Sequence, residues 1–232
     1  YTRACDAGDT KGCNYLGVLL QQGRGGPRDP VRAAALYVKA CDAGDALGCF
    51  NLGLAYAHRT GVRKDEAHAA TIYTKACDGG EAWGCANLGV MTEQGRGMAK
   101  DEARAATLYT KACDGKDMLG CLNLGALFEK GRGVAKDEVR GAGLYSQACN
   151  GGEPRGCTYL GIMFEQGRGM SKDEARAAAL YTQSCDAGEP KGCSYLGVLL
   201  ETGHGVAKDE TRATDLYAKG CDGNDNTGCS NL

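Results

Sequence analysis

The sequence predicts an all-α solenoid of about six and a half helix–turn–helix repeats, each 36 residues long. Three observations predict it. Fourteen cysteines fall into seven pairs, and the pairs recur at a fixed 36-residue interval. Between them, apolar residues return at i, i+3, i+4 and i+7, the spacing of one helix face. Glycine-rich stretches interrupt that spacing at the same point of nearly every period, with Arg59-Thr60-Gly61 the departure. A fixed period of this size means stacked supersecondary units, each touching mainly its neighbours.

Residues 82–117 show the unit. Cys85, Leu88, Gly89 and Thr92 form the apolar face of a first helix, A. Gly95-Arg96-Gly97 then breaks it. Asp101 stands where an N-cap belongs, with Glu102 behind it, favourable at the positive end of a helix dipole. Pro30 follows Asp29 at the matching place of an earlier repeat and suits a first helical position. Ala105, Leu108, Tyr109 and Ala112 are the apolar face of helix B. Cys113-Asp114-Gly115 closes it, with Gly115 at the expected left-handed C′ site. The glycines inside helix A (Gly17, Gly53, Gly89, Gly125, Gly161, Gly197) cost about 0.5–1 kcal/mol each relative to alanine. Their recurrence predicts close backbone packing.

Paired cysteines stand eight positions apart. In one continuous helix that is about 12 Å along the axis, and a disulfide needs Cα atoms within about 7 Å. The chain must therefore reverse between them, as Asp42-Ala43-Gly44-Asp45 allows. Each bridge then joins the end of one helix B to the start of the next helix A. The pairs are Cys5–Cys13, Cys41–Cys49, Cys77–Cys85, Cys113–Cys121, Cys149–Cys157, Cys185–Cys193 and Cys221–Cys229. Structural zinc sites use tighter cysteine spacing and histidine, and this chain has three histidines. No metal and no cofactor is expected.

Disulfides on this scale belong to a secreted, periplasmic or otherwise oxidising location, with the mitochondrial intermembrane space a lesser alternative. The net charge of −2 favours neither nucleic acid nor an anionic membrane. No apolar run approaches the roughly 20 residues of a membrane span. The 232 residues read as one repeat domain, cut within a repeat at both ends, because Tyr1 matches Tyr37 and Leu232 matches Leu52. Ends without polar caps point to a second reading, an array or filament built by end-to-end stacking.

Gly84-Cys85-Ala86-Asn87-Leu88-Gly89, Gly95-Arg96-Gly97, Ala105-Ala106 and Tyr109-Thr110-Lys111-Ala112-Cys113 together resemble the Sel1-like repeat. The cysteine pairs resemble its cysteine-rich branch, typified by the Helicobacter cysteine-rich proteins. The resemblance implies a right-handed α/α superhelix related to TPR solenoids. It also implies a non-enzymatic scaffold for a protein or peptide partner, often secreted. Some relatives are linked to penicillin-like compounds, but no S-x-x-K serine site stands here, so weak β-lactam binding or hydrolysis is a distant third reading.

No catalytic residue is expected. His58, His68 and His204 do not recur and sit in no nucleophile pattern. His58 and His204 read as loop-edge residues, His68 as a solvent-facing residue of helix B. Arg24, Arg96, Arg132 and Arg168 form a ladder, and Glu93, Glu129 and Glu165 lie three residues before the last three, a spacing that suggests local ion pairs. Positions that vary between repeats are better ligand-binding candidates. One such position holds Tyr15, Asn51, Asn87, Asn123, Tyr159 and Tyr195, expected on a concave helix A face. Leu47, Trp83, Met118 and Leu119 make a candidate apolar interface.

Overall fold

The computed structural model describes residues 1–232 and is built of fourteen α-helices without a strand. They group into two compact units, 1–120 and 121–232.

In the first unit, α1 (Thr2–Asp6) is followed by the hairpins α2 (Thr10–Gln22) with α3 (Pro30–Asp42), α4 (Ala46–His58) with α5 (Glu66–Asp78), and α6 (Ala82–Gln94) with α7 (Glu102–Asp114). Helix α8 (Met118–Lys130) starts at its end. The second unit holds α9 (Glu138–Asn150), the hairpins α10 (Pro154–Gln166) with α11 (Glu174–Asp186) and α12 (Pro190–Thr202) with α13 (Glu210–Asp222), and α14 (Asn226–Asn231). Even-numbered helices from α2 onward are A helices, and odd-numbered ones are B helices.

Aspartates set the B helices. Asp65, Asp101, Asp137, Asp173 and Asp209 each accept a hydrogen bond from the backbone N–H three residues on. Asp29 does the same, with Pro30 behind it as expected. The predicted faces are buried: Cys85, Leu88 and Thr92 on α6, and Ala105, Leu108, Tyr109 and Ala112 on α7. Gly89 is explained by its hairpin partner, since a Cβ there would stand 2.6 Å from the Tyr109 ring. Within each unit, α2, α4, α6, α10 and α12 each pack on the B helix that follows and on the B helix before. Neighbouring A helices also touch, α2 with α4, α4 with α6 and α10 with α12, whereas no B helices pack comparably.

All fourteen cysteines are bridged, one disulfide per repeat. Cys5–Cys13, Cys41–Cys49, Cys77–Cys85, Cys149–Cys157, Cys185–Cys193 and Cys221–Cys229 bring their Cα atoms to 4.4–4.6 Å. Complete oxidation suits an oxidising compartment.

The end of helix B differs from expectation at one residue. Gly115 has φ −76°, and the left-handed residue is the next one, Lys116, at φ 65°. The Gly115 amide still donates to the Lys111 carbonyl, so the helical course runs one residue further. Glycine stands at 115 for space: a Cβ there would meet the Cβ of Ala82 at 2.7 Å.

Candidate functional site

The second and sixth residues of each A helix lie four apart and so share a face. In the six full-length A helices their identities come in two coupled sets, while the short α14 carries Thr227 with Asn231. Lys11 goes with Tyr15, Arg155 with Tyr159, and Lys191 with Tyr195. Leu47 goes with Asn51, Trp83 with Asn87, and Leu119 with Asn123. A cation is always followed by tyrosine, and an apolar residue always by asparagine. The intervening fifth residue follows suit, with Asn14, Thr158 and Ser194 in the first set and Phe50, Ala86 and Leu122 in the second. This coupling is visible in the sequence only when both positions are compared across repeats, and reading each column alone misses it.

In the first unit, the Asn51 side-chain amide donates to Asn14 Oδ1 at 2.8 Å, joining neighbouring A helices. Asn87 donates to the Trp83 carbonyl one turn back, also at 2.8 Å. Tyr15 faces Tyr1, with ring centroids 5.4 Å apart. Trp83 is half exposed, its ring 5.7 Å from that of Phe50. Leu119 is also exposed, while Leu47 and Met118 are partly buried. The apolar residues thus share a register along the A helices.

In the second unit, Tyr159 stacks on the buried Tyr145 at 5.3 Å, and Tyr195 on the buried Tyr181 at 5.2 Å. The Lys191 ammonium lies 5.0 Å from the Tyr159 ring centroid and 5.8 Å from that of Tyr195, within cation–π range of both. A hollow of about 240 Å³ opens beside Tyr159, lined by Asn123, Lys130, Arg155, Ile162 and Arg168 among others. Asn123 and Tyr159 therefore meet in one hollow. The other four candidates do not join them there.

In five of the B helices a buried tyrosine ties down the end of its A helix. Tyr109 donates to Glu93 at 2.7 Å, Tyr145 to Glu129 at 2.5 Å, Tyr181 to Glu165 at 2.6 Å, Tyr217 to Glu201 at 2.6 Å and Tyr37 to Gln21 at 2.8 Å. Burial, then the adjoining Glu129 and Glu165 carboxylates, push the phenols of Tyr145 and Tyr181 well above their ordinary range. Sequence spacing alone pairs these glutamates with the arginines three residues on. Instead Arg168 reaches back to Glu129 in the preceding repeat at 2.7 Å, and Arg96 reaches Glu66 at 2.8 Å. The reason is that Gly95 and Gly167 turn left-handed and end the A helices, so helical i, i+3 geometry no longer holds at the arginine. Glu66, hydrogen-bonded to Lys64 and then Arg96, is held below the usual carboxylate range.

Of the histidines, His58 ends α4, His204 lies in the loop after α12, and His68 is exposed on α5 with its ring edge against Tyr56, as expected for all three. No helix is long and apolar enough to cross a membrane.

Helical hairpins repeated every 36 residues, with one disulfide per repeat, define an α-hairpin repeat protein. The Sel1 repeat model matches residues 10–45, 46–81, 84–117, 119–153, 154–189 and 190–225, and the chain belongs to the Sel1 repeat family. Among solved structures, it is similar to c5321 of uropathogenic Escherichia coli, a protective antigen with an SLR fold. That match has 28% identity, a TM-score of 0.87, and coverage of 98% of this chain and 49% of the other. The chain thus spans about half the length of that protein. A Sel1 repeat protein from Oxalobacter formigenes matches with 28% identity and a TM-score of 0.87, over 92% of this chain and 88% of the other. Helicobacter pylori cysteine rich protein B shares 30% identity over 57% of this chain and 96% of its own, with a TM-score of 0.47. No curated protein matches the chain.

Proposed function

We propose that this chain is a non-enzymatic scaffold that holds a protein or peptide along the inner face of its A helices, in an oxidising compartment. One observation carries the reading. The cysteines, the helix A glycines and the helix B tyrosines are constant, while the second and sixth residues of helix A change. Packing explains each constant residue and leaves the changing register free to set specificity. The A helices touch one another where the B helices do not, which supports an inner, concave placement of that register. In this reading the 232 residues act as a single domain.

The reading is tested by selecting peptides from a displayed library against the fully oxidised protein. Selected peptides are expected to bind saturably and to weaken by about tenfold, some 1.4 kcal/mol, when Asn51, Asn87 and Asn123 are together replaced by alanine. Failure to enrich any peptide, or binding untouched by that triple replacement and by Arg155→Ala with Lys191→Ala, would sink it.

A further inference from the structure

The hollow in the second unit differs chemically from the apolar register of the first. Lys130, Arg155 and Arg168 line it with one carboxylate, Glu129, while Glu153 and Glu189 lie near Arg155 outside the lining. Glu129 is already engaged on both oxygens, by the Tyr145 hydroxyl and by Arg168. Arg155 spends its Nε on Glu153, which also caps α10, at 2.7 Å. Its two terminal nitrogens remain to donate, and the side chain is about half exposed. Neither Lys130 nor Lys191 is in an ion pair. The aromatic partners are fixed in advance: Tyr159 and Tyr195 each lie on a buried tyrosine ring, so little freedom is lost when a ligand covers them.

We propose that this hollow and the adjoining Lys191 bind an acidic peptide segment. A carboxylate side chain seats between Arg155 and Lys130, the neighbouring residue lies over Tyr159, and the next carboxylate meets Lys191. Guanidinium groups match carboxylates in pairs of parallel hydrogen bonds, and rigid tyrosine faces supply contact area with a polar tip. An apolar segment gains nothing here that the Leu47, Trp83 and Leu119 register does not offer better. The inference rests on the scaffold reading above and adds the chemistry of the partner.

The test uses the full oxidised chain and a short fluorescein-labelled peptide of alternating glutamate and glycine, followed by anisotropy. Saturable binding is expected, weakening steeply as salt rises, because partly exposed charges are screened. A glutamine counterpart should bind at least about tenfold more weakly, about 1.4 kcal/mol. Arg155→Ala and Lys191→Ala should each weaken the acidic peptide several-fold, Lys191→Arg should retain it, and Val31→Ala, at an exposed position of the B helix α3 in the other unit, should leave it unchanged. Equal binding of the glutamine peptide would overturn the proposal. So would indifference to both cation variants, or full displacement by inorganic phosphate at matched charge, which would mark simple anion attraction. If selected peptides prove neutral yet depend on Asn51 and Asn87, this proposal falls and the scaffold reading stands.

Discussion

Tyr73 is buried like its five counterparts, yet its hydroxyl has no hydrogen-bond partner. The residue sixteen positions earlier, where the other repeats place Gln or Glu, is Ala57. An unpartnered buried hydroxyl costs about 1–3 kcal/mol. Ala57→Gln, which copies the Gln21–Tyr37 pair, is therefore expected to raise the thermal midpoint. Glu165→Ala, which orphans Tyr181, is expected to lower it by a similar amount. Burial also pushes the Tyr37 phenol up to about 12 and, with Glu201 adding to it, that of Tyr217 to about 12. A phenol whose folded pKa is raised favours the fold while it is protonated. That stability is complete below the unfolded value near 10 and is lost as pH rises through about 12. Short-exposure urea denaturation across that alkaline window should show a falling midpoint, while a flat profile would contradict the burial of these rings.

At the scale of the element, two glycine substitutions have opposite expected signs. Gly89→Ala drives a Cβ into the Tyr109 ring, and overpacking of this kind costs about 1–3 kcal/mol. Gly143 lies on α9, and a Cβ added there would meet nothing within 4 Å. Gly143→Ala is expected to stabilise by about 0.5–1 kcal/mol, the ordinary helical preference for alanine. Thermal unfolding of the two variants checks both. Replacing Cys77 and Cys85 together by alanine removes one staple and should cost about 2–4 kcal/mol by denaturant unfolding. Helix positions are legible in the sequence because aspartate caps, loop glycines and cysteine pairs repeat in phase. The left-handed turn residue is less legible, since glycine at 115 answers to Ala82 across the packed helices and no local rule sees that neighbour. The arginine pairing escapes local spacing for the same reason: Glu66 and Glu129 lie one repeat back, reached through loop docking.

Across the whole molecule, constant and changing positions divide the labour. The constant set builds the same hairpin each time. The changing set alternates between a cation with tyrosine and an apolar residue with asparagine. The sequence singles out the six tyrosine and asparagine positions, but not that two of them share a hollow with Lys130 and Arg168, which stand at unrelated places in the repeat. Nor does it show that Asn51 joins Asn14 of the preceding repeat, or that Tyr159 rests on Tyr145. Such partners depend on how repeats stack, which periodicity alone does not encode. The most direct test of this division is the dissociation constant of a library-selected peptide, measured with the thermal midpoint on alanine variants of the changing register: Asn51, Trp83, Asn87, Arg155 and Lys191. Affinity losses of several-fold or more are predicted in some of these variants, with midpoints held near that of the unaltered chain except in Asn51→Ala, which orphans the buried Asn14 and should lower the midpoint. Affinity unchanged across all five variants would contradict that division.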